Sequence, residues 1–240
     1  MPDYGFTNSN EILKVHKYSG TDNLEVMADA VNYNRFLTEL VLSQAKEGDV
    51  ILDFGAGIGT FAKNISAQGH NVCCVEPDIN QAYTIASLGL VVFGELAQVE
   101  NNSLDYAYTL NVLEHIEDDR AVLCELHRKL KPGGRLLIYV PALQVLYSSM
   151  DKKVGHYRRY TRKDLNDLVS NVGFNVTETR YADSIGFFAT ILFKLVSDDS
   201  GAVNNRALRA YDILVFPLSL IADKLLSPFF GKNVLLVGEK

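Results

Sequence analysis

The chain lacks the features that mark several large classes of protein. It has no apolar run long enough to cross a bilayer, and no charged start followed by an apolar stretch marks a signal peptide. Its formal net charge is −6, so it lacks the basic surface that a general nucleic-acid-binding protein needs. It has no internal repeats and no low-complexity tracts. We therefore expect a cytoplasmic globular protein without a nucleic-acid partner.

Cysteine is also scarce, and the three copies lack metal-ligand spacing. Cys73 and Cys74 are adjacent in an apolar stretch, where a strand would send their side chains to opposite faces. Free cysteine usually packs as a small apolar residue. We therefore expect both to pack in the core of a protein from a reducing compartment.

The stretch on which the rest of the chain depends is VILDFGAGIGTF, residues 50–61. An apolar strand ends at Asp53, a turn of alternating glycines follows, and a helix begins near Thr60. A turn with so few side chains lets backbone N–H groups approach a ligand beside the positive end of a helix. Nucleotide-type cofactors bind at such turns in α/β sheets. The dinucleotide fingerprint would need a third glycine where Thr60 stands.

An acidic residue follows the next predicted strand, residues 71–76. Glu76 lies about as far beyond Gly55 as nucleotide-binding folds place the acid that accepts hydrogen bonds from ribose hydroxyls. Pro77 then stops the strand. An exposed loop acid is the alternative, and the joint occurrence of turn and acid argues against it.

Strands and helices alternate through the remaining chain. Further strands are predicted at residues 90–93, 103–110, 135–140, 174–181 and 232–240, and capped helices at 78–88, 118–131 and 161–172. The fold class is therefore α/β, a doubly wound, Rossmann-like seven-stranded sheet with helices on both faces. An N-terminal helical flap, with a helix at 24–46, and a helical insertion at about 184–230 complete a single domain over residues 1–240.

These stretches together resemble the class I S-adenosylmethionine-dependent methyltransferases, especially the small methyltransferase 11/12 type. VILDFGAGIGTF is similar to the family's first motif, and Glu76 in VEPD to its ribose acid. SLDYAYTLNVLEHIED resembles the motif at the fourth strand, and LKPGGRLLIYVPA the one that leads into the fifth. GHYRRYTRKDL, residues 155–165, resembles a segment of one bacterial subgroup often associated with cell-surface polysaccharide or lipid pathways.

The resemblance implies S-adenosyl-L-methionine as the cofactor, S-adenosyl-L-homocysteine as the product and a cofactor-binding core at residues 47–141. The cofactor-binding residues would be Asp53, Gly55, Ala56, Gly57, Glu76, Pro77, Glu95, Leu96, Asn111 and Val112. The first four would hold the methionine end and Glu76 the ribose. Glu95 and Leu96 would lie beside the adenine, and Asn111 and Val112 would line the ribose and sulfonium.

Some relatives carry an E-x-x-E-H pattern that binds a divalent metal. Asn111 stands where the first glutamate would be, so only Glu114 and His115 remain of that pattern. A hard cation takes several oxygen ligands. We therefore expect no metal, and expect this pair to shape the start of a helix.

A basic, aromatic stretch opens the acceptor-side segment, residues 142–240. Methyl transfer from a sulfonium is an in-line displacement that depends on positioning, and it needs a base when the acceptor is a protonated hydroxyl. His156 is the candidate base, Tyr157 and Tyr160 would orient the acceptor, and Arg158 and Arg159 would hold an acidic group on it. In the alternative, this stretch is structural, its arginines pair with the chain's own acids, and Tyr160 is buried.

The predicted insertion is more apolar than a helix on one sheet face requires. Its apolar stretches, IGFFATILF and ILVFPLSLIA, are too short to span a bilayer. A lid over the acceptor, a homodimer interface or a membrane surface would each bury the excess. Because the segment is less basic than surface-binding helices usually are, we rank the lid or dimer above the membrane.

The sequence thus predicts a methyltransferase that acts on a small-molecule, sugar or lipid-linked acceptor. A non-catalytic cofactor-binding regulator or subunit is one alternative, since it would keep the glycines and Glu76. An NAD(P)-dependent Rossmann oxidoreductase is the other, and Thr60 argues against it.

Overall fold

The computed structural model describes residues 30–196 and 205–240, which build a seven-stranded sheet. Its strands are β1 (Val50–Phe54), β2 (Asn71–Val75), β3 (Val91–Phe93), β4 (Leu104–Leu110), β5 (Leu130–Pro141), β6 (Asn175–Ala182) and β7 (Asn233–Glu239). They lie in the order β3-β2-β1-β4-β5-β7-β6. β7 runs in the direction opposite to the other six strands. The order reverses between β1 and β4, where doubly wound folds open a ligand crevice. The predicted fold class is confirmed.

Helices connect the strands at the predicted places. They are α1 (Val31–Leu42), α2 (Thr60–Ser66), α3 (Ile79–Ser87), α4 (Asp119–Lys129), α5 (Ser149–Val154), α6 (Arg162–Val172), α7 (Ser184–Val196), α8 (Asn205–Ala210) and α9 (Phe216–Leu226). A π-helical turn (Tyr211–Val215) joins α8 to α9, and 3₁₀ turns (Leu96–Gln98, Leu113–His115, Gln144–Leu146) follow β3, β4 and β5. The side chains of Asp78, Asp118 and Thr161 accept backbone N–H groups at the starts of α3, α4 and α6.

Two apolar cores lie on the two faces of the sheet. One core packs β-strand side chains against α4 and α6, and the other packs them against α1, α2 and α3. Neighbouring strand residues belong to opposite cores, because side chains alternate along a strand. Cys73 contacts the first core and Cys74 lies in the second, as the sequence predicts.

Three features of the structure differ clearly from the sequence predictions. The N-terminal helix ends at Leu42 rather than at residue 46, because Arg135 donates to Gln44 O and to Asp49, and so holds the chain in its turn toward β1. β5 begins at Leu130 and runs through residues 132–134, where the sequence predicts a break. The residues predicted between the fifth strand and α6 include α5, which begins with a capping box that the prediction missed.

The predicted insertion is helical, as α7, α8 and α9. Within the described ranges, no helix is both long and apolar enough to cross a membrane. The predicted flap at residues 1–23, the first residues of the predicted helix at 24–46, and residues 197–204 of the insertion lie outside the described residues. The predicted cytoplasmic location stays a prediction.

Candidate active site at the carboxyl ends of the strands

The glycine turn after β1 requires glycine at Gly55 for two reasons. Its φ of +78° lies in the left-handed region, and a Cβ there would lie 2.5 Å from Val112 Cγ2. The Gly55 N–H donates to Val75 O at 2.9 Å. The turn therefore lies against the ends of β2 and β4.

Glu76 closes the neighbouring strand and holds the same turn. Its Oε2 accepts the Gly57 N–H at 2.8 Å and its Oε1 accepts the Asp78 N–H at 2.9 Å. The carboxylate is buried, and burial raises its pKa while the two N–H donors oppose that rise. Each oxygen keeps a further lone pair, so the geometry leaves capacity for ribose hydroxyls.

Asp53 brings a second buried carboxylate to this edge. It is 3% exposed, and its Oδ2 has no hydrogen-bond partner among the described residues. Burial raises the pKa of Asp53 to about 7. A buried polar atom without a partner is uncommon in proteins. The turn and this orphaned oxygen together fit a ligand that carries a hydrogen-bond donor, as the methionine end of the predicted cofactor does.

The other predicted cofactor residues divide into two groups. Asn111 and Val112 follow β4 beside the glycine turn, and Asn111 adopts a left-handed φ of +55°. Such strain in a residue other than glycine is concentrated at functional sites. Leu96 is buried after β3, whereas Pro77 is exposed, and the exposed Glu95 forms a capping box with Gln98.

On the acceptor side, His156 is held by an acid that the sequence analysis did not select. His156 Nδ1 lies 2.6 Å from Asp151 Oδ1, and Asp151 is 1% exposed. Asp151 also accepts from Arg159 and from the Ser148 N–H. Burial alone would raise the pKa of Asp151, but the His156 and Arg159 partners outweigh it and hold that pKa below its usual range. The S-x-x-D capping pattern was the available sequence signal.

Glu114, His115 and His156 form a cluster beside this pair. Their candidate ligand atoms lie within 4.8 Å of one another. Glu114 is fully buried, and neither of its carboxylate oxygens has a hydrogen-bond partner in the described structure. Burial raises the pKa of Glu114 to about 8 and lowers that of His115 to about 4. A carboxylate and two imidazoles suit a divalent transition metal. Asp151 contacts the other ring nitrogen of His156, as carboxylates often do for metal-binding histidines. We expected no metal because only Glu114 and His115 of the E-x-x-E-H pattern are present. The fold brings His156 to the same place as a third candidate ligand.

The two arginines pair with the chain's own acids. Arg158 donates to Asp119 Oδ2 at 2.8 Å, and the buried Tyr160 hydroxyl donates to the same oxygen at 2.8 Å. Arg159 pairs with Asp151. These contacts follow the structural alternative for both arginines and for Tyr160, whereas the Tyr157 side chain is 56% exposed.

Fold and site together define a class I methyltransferase architecture, and the relatives agree. A methyltransferase-domain family matches residues 25–179. Among relatives, the mitochondrial ubiquinone biosynthesis O-methyltransferase of Schizosaccharomyces pombe is 34% identical over 115 residues, 43% of this chain and 42% of that protein. Phosphoethanolamine N-methyltransferase 2 of Caenorhabditis elegans is 27% identical over 157 residues, 56% of this chain and 34% of that protein. The chain thus spans about half or less of these relatives' own length.

A solved structure shows the same fold at low identity. The methyltransferase in complex with the Trm112 activator of Haloferax volcanii superposes with a TM-score of 0.63, at 14% identity, over 93% of this chain and 97% of that one. The family match covers more than half of the chain. The chain therefore belongs to this methyltransferase family, the class I S-adenosylmethionine-dependent enzymes that its motifs predict.

Proposed function

We propose that the protein transfers the methyl group of S-adenosylmethionine to a hydroxyl of a small-molecule, sugar or lipid-linked acceptor, with His156 as the general base. The observation that carries this proposal is the buried Asp151–His156 pair at the carboxyl edge of the sheet. The cofactor would be bound by the glycine turn, Glu76 and Asp53. The acceptor would be bound by the segment after β5.

A short series of contacts brings His156 to the cofactor side. Val112 contacts the glycine turn at Gly55. Two residues further on, Glu114 O accepts the Tyr157 N–H at 2.8 Å, and the His115 and His156 rings meet edge to face at 4.5 Å. The turn after β4 therefore lies between the proposed sulfonium site and the proposed base.

Asp151 positions the base rather than reacting itself. In the tautomer whose Nδ1 hydrogen is directed to Asp151, Nε2 is the ring nitrogen left to accept a proton, and it lies 3.9 Å from Glu114 Oε1. In the transfer, the acceptor oxygen forms a bond to the methyl carbon as the carbon–sulfur bond breaks, and the sulfonium becomes a neutral thioether. The hydroxyl proton passes to His156 Nε2. Because charge is dispersed, positioning supplies most of the remaining catalysis.

A specific observation favours a second candidate at the same place. Glu114 is buried without a hydrogen-bond partner for either carboxylate oxygen in the described structure, and its Oε1 lies 3.9 Å from His156 Nε2. Glu114, His115 and His156 would hold a divalent cation, which would supply charge to stabilise a deprotonated acceptor oxygen. In that case His156 would be a ligand, and it would not serve as the base.

The relatives support the class of reaction and leave the acceptor atom to experiment. One is named an O-methyltransferase and the other an N-methyltransferase. A hydroxyl is proposed here because a held histidine base is useful to an acceptor that keeps its proton at neutral pH.

The test is turnover to S-adenosylhomocysteine with a panel of phenolic, sugar and lipid-linked hydroxyl compounds. His156→Ala should lower kcat by roughly 10²–10⁴-fold, the usual contribution of a positioned base, while calorimetric affinity for S-adenosylmethionine stays unchanged. His70→Ala is the matched control. Activity lost to a chelator and restored by a divalent cation would replace the base with the cation. Cofactor binding without turnover on any acceptor would favour the regulator.

A further inference from the structure

The insertion between β6 and β7 exposes an unusual amount of apolar surface. Nine of the sixteen large apolar side chains that are exposed among the described residues belong to it. Six of them form stripes on two packed helices: Phe188, Leu192 and Leu195 on α7, and Leu218, Ile221 and Leu225 on α9. We call these six the apolar patch. Their spacing of three and four residues places each stripe on one face of its helix.

The inner face of α9 is mixed: Phe216 packs against Tyr33 and Phe36, and two polar side chains lie further along the same face. Asp223 accepts the Asp183 and Ser184 N–H groups, each at 2.8 Å, and Ser219 Oγ accepts the Ile185 N–H at 2.9 Å. Both Asp223 and Ser219 are buried. A surface helix normally turns its apolar face to the core and its polar face to water. On α9 two of the three buried side chains are polar while the exposed stripe is apolar, so the outer face is suited to an apolar surrounding.

The charges of the insertion are sorted in the same way. Its two acids within the described residues, Asp212 and Asp223, are 3% and 7% exposed. The charged side chains that it exposes there are all basic: Lys194, Arg206, Arg209 and Lys224. Asp198 and Asp199 lie outside the described residues. Over its described residues, the insertion thus exposes apolar and basic side chains together, in a protein of net charge −6.

We propose that the apolar patch docks on an anionic lipid bilayer, with α7 and α9 lying in the interface. Apolar side chains beside lysine and arginine are what such a surface binds. Helices of 13 and 11 residues are too short to span it. From the sequence alone this ranks below a lid or a dimer, because the segment is less basic than surface-binding helices usually are. The fold adds that the two described acids of the insertion are buried.

A second copy of the chain is a poorer occupant on electrostatic grounds. A two-fold symmetric contact pairs the same surface of both copies. The basic side chains of one copy would therefore face the basic side chains of the other. Like charges across an interface oppose association. Anionic lipid headgroups would complement the same side chains.

The patch lies next to the acceptor-side segment. Lys194 Nζ donates to Val145 O at 2.8 Å, and α7 packs against the Gln144–Leu146 turn. That turn opens the segment that carries His156. A bilayer bound to the patch would therefore meet the protein beside the proposed acceptor site. The docking itself does not depend on the identity of the acceptor.

Vesicle co-sedimentation of the full chain tests the proposal. We expect binding to vesicles of phosphatidylcholine mixed with phosphatidylglycerol and weaker binding to phosphatidylcholine alone. Leu218→Gln/Leu225→Gln should weaken binding by about tenfold or more, since it removes apolar side chains from the interface. Tyr83→Gln/Val91→Gln, at equally exposed sites elsewhere, should bind as the parent does. Lys194→Gln/Lys224→Gln should reduce the preference for phosphatidylglycerol by about fivefold per lysine.

Unchanged S-adenosylmethionine affinity in each variant would show that the fold is intact. Failure of the protein to co-sediment with either vesicle preparation would overturn the proposal. So would light scattering that shows a dimer which the Leu218→Gln/Leu225→Gln variant abolishes. None of these readouts requires turnover, so failure of the docking proposal and failure of the catalytic proposal can be told apart.

Discussion

At the scale of single residues, the Glu76 carboxylate has two roles, since it holds the glycine turn and faces the proposed ribose site. Glu76→Ala should weaken S-adenosylmethionine binding by about 1.5–3 kcal/mol, the range for hydrogen bonds to a charged group. Titration calorimetry measures this, with the exposed Glu100→Ala as control. Unchanged affinity in a folded Glu76→Ala protein would remove Glu76 from the site.

Gly55 allows a second prediction, which separates backbone strain from crowding. Gly55→Ala should lower the free energy of unfolding by about 2–4 kcal/mol, because the new Cβ adopts a left-handed φ and also collides with Val112. Gly48→Ala shares the positive φ but meets open space, so it should cost less. Urea unfolding measures both.

The crowding part has its own test in a double-mutant cycle. Val112→Ala should recover part of the loss when it is combined with Gly55→Ala. Strictly additive losses would mean that the two residues are not in contact.

The buried Glu114 predicts a pH dependence of stability. Its pKa of about 8 in the fold exceeds the ordinary value of about 4.3, so the folded state binds the proton more tightly. The stabilisation is complete below about pH 4 and is lost as the pH rises toward 8, by up to about 1.4 kcal/mol per pH unit. Urea unfolding in the presence of a chelator should show this slope, and Glu114→Gln should make it shallower, because the buried Asp53 carboxyl still contributes below about pH 7. Equal slopes would contradict the burial of Glu114.

Single residues also show what sequence reasoning reaches and what it misses. Asp53, Gly55 and Glu76 were predictable because each lies within a few residues of a strand end, where local spacing fixes the site. The Asp151–His156 pair depends on α5, which is short and was hidden in a basic loop. The Glu114–His156 contact joins segments far apart in the chain, and no local spacing contains it.

At the scale of elements, the first backbone N–H groups of α7 are held by the carboxylate of Asp223, which belongs to α9. Asp223→Ala should reduce the free energy of unfolding by about 1.5–3 kcal/mol, because the Asp183 and Ser184 N–H groups lose a charged acceptor in a buried place. Asp223→Asn keeps an acceptor and should cost less. The exposed pair member Asp167→Ala, whose ion pair with Lys163 is on the surface, should change stability by under about 1 kcal/mol.

Hydrogen exchange would show whether that loss is local. Faster exchange confined to α7 and α9 would show that the insertion opens independently of the sheet. Uniformly faster exchange would show that the insertion and the sheet unfold together.

At the scale of the whole molecule, ligand binding should distinguish the methyltransferase from the oxidoreductase. S-adenosylhomocysteine at about one hundred times its Kd should add about 2.7 kcal/mol to the free energy of unfolding, which raises Tm by roughly 5–10 °C for a chain of this size. NAD should not shift Tm. A shift with NAD alone would contradict the class assigned here.

The alternation of strands and helices and the two buried faces of the sheet were predictable, because period-two and helical patterns repeat over several residues. The bounds of α1 and β5 were not, since Arg135 and the β4–β5 pairing determine them from a distance. The outward apolar face of the insertion was visible as excess hydrophobicity in the sequence. Its direction was not, because only the fold shows which side Asp223 occupies.

The position of β7 also governs the order in which the sheet can be completed. β6 reaches the rest of the sheet only through β7, which lies between it and β5. A ribosome delivers β7 after every other strand described here, so the growing chain carries an unpaired β5 edge until residues 233–239 emerge. Unpaired strand edges attract other chains. The insertion of β7 between β5 and β6 should therefore be the folding step at which this sheet is most prone to aggregation.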